Sequence, residues 1–110
     1  MEKQYDKLVR DNIPTIIEDQ GNIPVFRILS DTAYATYLNK KLKEEVEEYL
    51  KDNCVEELCD IFEVIKAIYT AMGFTDAEFE KVREAKVLKN GAFKDKILLE
   101  KIIVREHPSV

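Results

Sequence analysis

The chain has 110 residues, 45% of them hydrophobic, which suits one small globular domain spanning residues 1–110. With 22 acidic against 17 basic residues its formal net charge is −5, which argues against a surface made to neutralise nucleic-acid phosphates. No run approaches the roughly 18 apolar residues that cross a bilayer, and the N-terminus lacks a signal peptide's apolar stretch, so a cytoplasmic chain with no membrane partner is expected.

In chain order, a first short helix is predicted from about Asn12 to Gln20, since Pro14 suits a first helical turn and Gly21 the position just past a C-terminus. Val25 to Leu29, behind Pro24, reads as a short strand. Ser30 or Asp31 can cap a long helix through Tyr34, Leu38, Leu42, Val46 and Tyr49, a helical spacing. Asp52 and Asn53 break it, and Asn53 with Glu56 has the layout of a capping box for a second long helix. That helix runs to Met72 with Gly73 as its stop. Thr75 with Glu78 forms another capping box, opening a helix that ends near Asn90 and Gly91. Ile97 to Val104 is β-branched and apolar, the pattern of a strand that could pair with Val25 to Leu29. The expected class is all-α: a helical hairpin contributing to an oligomeric four-helix bundle, with short flanking β-strands.

Two features of the chain favour a homo-oligomer, a dimer or a tetramer. A domain of this size buries only about two thirds of the surface it exposes when unfolded. The second long helix is also apolar around most of its circumference, from Leu58 to Met72, more than one hairpin can cover. Cys54 and Cys59 stand about 7.5 Å apart along a helix axis, too far for an easy disulfide, and read as reduced thiols. A zinc site would need two more soft ligands, and the single histidine, His107, lies near the end.

The chemistry lies in the acids of the two long helices. At about 100° per residue, Glu57 falls between Val64 and Ile68, and Asp60 between Ala67 and Ala71, so two carboxylates sit inside an apolar sector. Buried carboxylates are costly unless paired or metal-bound. On the first long helix Glu45 borders the apolar stripe and Glu48 lies one step farther out, while Glu44 and Glu47 turn toward solvent. An antiparallel hairpin closing at Asp52 and Asn53 places Glu48 level with Glu57 and Glu45 level with Asp60. The two tiers are separated by about 4.5 Å of helix rise on axes roughly 8 to 10 Å apart. Four carboxylates this close raise one another's pKa values, and Mg²⁺, with Mn²⁺ as a substitute, is the natural counter-ion, since it takes oxygen ligands and leaves positions for phosphate oxygens. The alternative for the same residues is a solvated acidic face.

These residues resemble the MazG-like all-α NTP pyrophosphatases, which share EExxE followed by ExxD on paired helices. Here the pattern reads Glu44-Glu45-Val46-Glu47-Glu48 and Glu57-Leu58-Cys59-Asp60, with a gap of eight residues that demands a tight loop. The resemblance extends over most of the chain to the branch related to phosphoribosyl-ATP pyrophosphohydrolase. Lys7-Leu8-Val9-Arg10-Asp11-Asn12-Ile13-Pro14 at the start and Lys89-Asn90-Gly91-Ala92-Phe93 near the end carry it, Ala92 replacing the usual second glycine. It implies hydrolysis of the α–β bond of a nucleoside triphosphate to the monophosphate and pyrophosphate, often to clear unwanted nucleotides. Glu45, Glu48, Glu57 and Asp60 carry over as Mg²⁺ ligands, Glu45 thereby taking part in catalysis, with Glu44 as a candidate base or outer support.

Lys7, Arg10, Arg83, Lys86 and Lys89 are the cations available to an anionic nucleotide, and Lys7 with Arg10 precedes a helix start, where phosphate binding is favoured. No GxxxxGK[ST] loop is present. Two other functions fit the sequence: phosphoribosyl-ATP pyrophosphohydrolase itself, and a non-catalytic helical interaction module whose acidic face binds a basic partner.

Overall fold

The computed structural model describes residues 1–106, which form four helices and no strand: α1 (Ile13–Asp19), α2 (Asp31–Asp52), α3 (Val55–Ala71) and α4 (Asp76–Asn90). His107 lies outside the described residues. No helix among them is long and apolar enough to cross a membrane.

Local chemistry sets the helix ends. The Ser30 hydroxyl accepts from the Ala33 amide at 3.2 Å, satisfying one of the free donors that open α2. Thr75 and Glu78 complete a capping box on α4: the Thr75 hydroxyl accepts from the Glu78 amide, and the Glu78 carboxylate from the Thr75 amide, both at 3.1 Å. Asn53, however, caps the end of α2 and not the start of α3. Its backbone is left-handed at φ 48° and ψ 43°, its amide donates to Tyr49 O, and its side-chain amide donates to Leu50 O at 3.2 Å. Asparagine tolerates that conformation better than most residues, because its short polar side chain can bond locally. Cys54 is the residue before α3, and its side chain makes no capping hydrogen bond.

Both expected strands are absent: residues 22–30 and 97–106 carry neither ladder nor helix. A strand forms only against a partner edge, and neither segment meets one. Ile97, Leu98, Leu99, Ile102, Ile103 and Val104 all remain exposed, as do Ile23, Val25, Phe26 and Ile28.

The α2–α3 hairpin is the body of the fold, and α4 touches α3 only at its base. There the Tyr69 ring stacks on Phe79 with centroids 4.1 Å apart, and its hydroxyl donates to Asp76 at 2.6 Å. Among the described residues only Leu38, Val64 and Tyr69 are buried hydrophobics. The radius of gyration is 20.6 Å, against about 13 Å for a compact chain of this length. The accessible surface of 10586 Å² exceeds by about 4,300 Å² the value for a folded monomer of this mass. At about 100° per residue, Val46 and Leu50 on α2 and Val55, Leu58 and Phe62 on α3 occupy one flank of the hairpin. All five are exposed there.

The Tyr69 hydroxyl, helped by Lys66, holds the Asp76 carboxyl below the usual carboxylate range, while the tyrosine itself is pushed up from 10.0 to about 12. A depressed carboxyl contributes stability above its unfolded value and loses it as pH falls through the folded one; a raised tyrosine loses its contribution as pH climbs from about 10 to 12. Tyr69→Phe is therefore expected to lower the melting temperature most between those limits, with the deficit narrowing in acid and in strong alkali. Thermal unfolding of both proteins from pH 3 to about 12 measures it, and a deficit independent of pH would assign the loss to packing alone.

Candidate metal centre

The turn at Asn53 and Cys54 folds α3 back along α2, and the acids of both helices meet on the flank opposite the Leu58 and Phe62 stripe. Carboxylate oxygens of Glu45, Glu57 and Asp60 all lie within 4.8 Å of one another, and so do those of Glu48, Asp52 and Glu57. The four acids singled out in the sequence thus come together as the hairpin register requires, and Glu57 belongs to both groups. Asp52 is the member that sequence reasoning passed over as a helix breaker. Its signal was its place four residues after Glu48, which puts both on one face of α2.

Glu45, Glu57 and Asp60 are half-buried, whereas Glu48 and Asp52 are exposed. Glu57 sits in the first turn of α3, where the free amides and the helix dipole favour a negative charge. Even so, partial burial, and then the charges of Asp60, Asp52, Glu45 and Glu48, hold its carboxyl above the usual range. The donor set is all carboxylate, the ligand type of Mg²⁺, Mn²⁺ and Ca²⁺ and a poor match for soft metals. Cys54 and Cys59 are free thiols, and neither belongs to the acid groups.

Three cations from two places, the N-terminal segment and α2, pair with the acids of this flank. Arg10 donates to Asp60 Oδ1 at 2.6 Å, and Lys7 reaches Glu44 Oε1 at 3.2 Å, so both N-terminal cations lie at the site. Lys41, a residue the sequence reading did not select, lies 3.5 Å from Glu44 and 3.3 Å from Glu45, with only 19% of its side chain exposed. Its positions three and four residues before two glutamates were the available signal. Glu44 stands outside both acid groups, held by Lys7 and Lys41. The other three expected cations lie on α4: Arg83 is engaged by Glu80 on its own helix, and no ion pair joins Arg83, Lys86 or Lys89 to the acids among the described residues.

A protein of Mycolicibacterium smegmatis (strain ATCC 700084 / mc(2)155), described as an uncharacterized protein, is 52% identical to this chain over 42 residues. The match covers 38% of this chain and 43% of that protein. No protein-family model matches the chain, and no solved structure does.

A carboxyl raised on folding binds its proton where the unfolded chain is already ionised, so the folded state loses stability as pH climbs through that window. Glu57→Gln removes this loss. In the absence of divalent metal the variant is expected to melt higher than wild type above the usual carboxylate range, with the gap closing below it. A lower melting temperature at neutral pH would instead make Glu57 a structural ion-pair partner.

Proposed function

We propose that the chain is a Mg²⁺-dependent nucleotide pyrophosphohydrolase that cleaves the α–β bond of a nucleoside triphosphate, giving the monophosphate and pyrophosphate in cytoplasmic nucleotide-pool house-cleaning. The observation that carries this reading is the meeting of Glu45, Glu57 and Asp60 from two helices, with Glu48 beside them, at positions matching the EExxE and ExxD pattern. Like charges raise one another's energy, so a bound cation would relieve their repulsion. Here five acids converge on one flank.

Glu45, Glu48, Glu57 and Asp60 would hold the metal, with Asp52 in reach of the exposed end of the group. Bound Mg²⁺ neutralises phosphate charge and makes a coordinated water more acidic. Lys7 and Arg10 lie where they can pair with phosphate oxygens, and their exposure leaves both able to turn toward a ligand. Glu44, outside the clustered carboxylates, is the candidate to accept the water's proton or to steady Glu45 through Lys41. Arg83, Lys86 and Lys89 stand on α4, which touches the hairpin only at its base, and are the remaining cations for a bound nucleotide.

The exposed flank supports a homo-oligomer in which a second copy covers Val46, Leu50, Val55, Leu58 and Phe62, making a four-helix bundle with the acids facing outward. Light scattering at micromolar concentration is expected to give at least twice the chain mass, and Phe62→Glu to lower it. A wild-type particle of one chain would refute the assembly.

Pyrophosphate release with Mg²⁺ across a nucleotide panel tests the activity. Glu45→Gln, Glu48→Gln, Glu57→Gln and Asp60→Asn are each expected to reduce it by about two orders of magnitude or more, the scale of losing a group that acts in the transition state. Glu47→Gln and Glu63→Gln, which turn to solvent, should stay near wild type. Activity confined to phosphoribosyl-ATP would select the histidine-pathway enzyme, and no activity on any nucleotide would leave the interaction module.

A further inference from the structure

The N-terminal segment before α1 has no helix or strand of its own, yet two of its cations cross to the acidic hairpin. Arg10 reaches Asp60 over 50 residues of sequence and Lys7 reaches Glu44 over 37. Leu8, between them, is half-buried, whereas every other residue from 1 to 12 is exposed. The segment therefore lies across the acid flank as a strap, fastened by two ion pairs and one apolar side chain.

The two fastenings differ. Lys7 binds Glu44, which stands outside both clusters, so that pair is compatible with a cation among the acids. Arg10 binds Oδ1 of Asp60, one of the three half-buried carboxylates that converge. A guanidinium held on Oδ1 at 2.6 Å and a divalent ion on the same carboxylate repel each other. Arg10 thus weakens the hold of Asp60 on a divalent ion, and the ion weakens the hold of Asp60 on Arg10.

We infer that Arg10 is a resident competitor for the divalent cation: it occupies Asp60 in the metal-free protein, and metal binding unfastens it, loosening the strap and freeing the guanidinium for the phosphates of an incoming nucleotide. This rests on the metal reading proposed above. Arg10 is a positioning residue in the free protein, and its exposed side chain gives it room to move, being 56% accessible. The strap's second fastening at Glu44 keeps the segment near the site after Arg10 leaves. A nucleotide then meets a guanidinium tethered within a few residues of its phosphates.

Calorimetric titration with Mg²⁺ alone, without nucleotide, tests the competition. Arg10→Gln is expected to tighten Mg²⁺ binding about two- to fivefold, the strength of an exposed ion pair. Lys7→Gln removes the same charge from a neighbouring pair and should tighten it less. Side-chain nuclear magnetic resonance supplies a second readout: added Mg²⁺ should move the Arg10 Nε–Hε resonance of wild type toward its position in metal-free Asp60→Asn, where the pair is already broken, and an unmoved resonance would overturn the displacement of Arg10. Equal Mg²⁺ affinities for wild type and Arg10→Gln would overturn the competition while leaving the metal site intact. Equal tightening by the two variants would reduce Arg10 to a general field effect and overturn it as well. Absence of Mg²⁺ binding in every protein would overturn the metal reading and this inference with it.

Discussion

A two-residue turn decides where every acid of the hairpin goes. Asn53 in the left-handed region reverses the chain in so few residues that α3 must return along α2 in one register. Glu48 then faces Glu57 and Glu45 faces Asp60. A residue forced out of that conformation would lengthen the turn, and each added residue would swing the α3 acids by about 100° around their axis. The carboxylates would no longer meet. Their mutual repulsion opposes the arrangement, and the α3 dipole, Lys41 and Arg10 offset part of it.

The helical part of this architecture was legible because capping chemistry is local. Ser30, Thr75 with Glu78, and Gly91 mark their helix ends in the sequence and act there in the structure. The acid register was legible for the same reason, since a short break between two amphipathic helices leaves one plausible hairpin. The two expected strands were not, because Val25 to Leu29 and Ile97 to Val104 show the right residues but no local pattern names an edge for them to pair with. Asn53 misled in a different way: a residue good at opening one helix is also good at closing another. Asp52 and Lys41 escaped notice because a helix-end acid and a mid-helix lysine look like surface charges until the fold sets them against other acids.

The hairpin divides its two jobs between its flanks. Acids and the cations that answer them occupy one side, and Val46, Leu50, Val55, Leu58 and Phe62 the other. The segregation lets a charged, half-wet site coexist with an apolar surface on helices only 22 and 17 residues long. Packing α4 through one stacked pair, one hydroxyl–carboxylate bond and the Lys66–Asp76 ion pair leaves the rest of α4 free of the hairpin. That arrangement keeps both flanks open.

With only three buried apolar side chains among the described residues, a single chain has little to set against its conformational entropy. If the open flank is closed by another copy, folding and assembly become one mass-action equilibrium, and dilution acts as a denaturant. Cellular abundance then governs how much of the protein is folded at all. At low copy number the unassembled chain, with its apolar stripe and two uncovered tails, is the form that proteases would meet first.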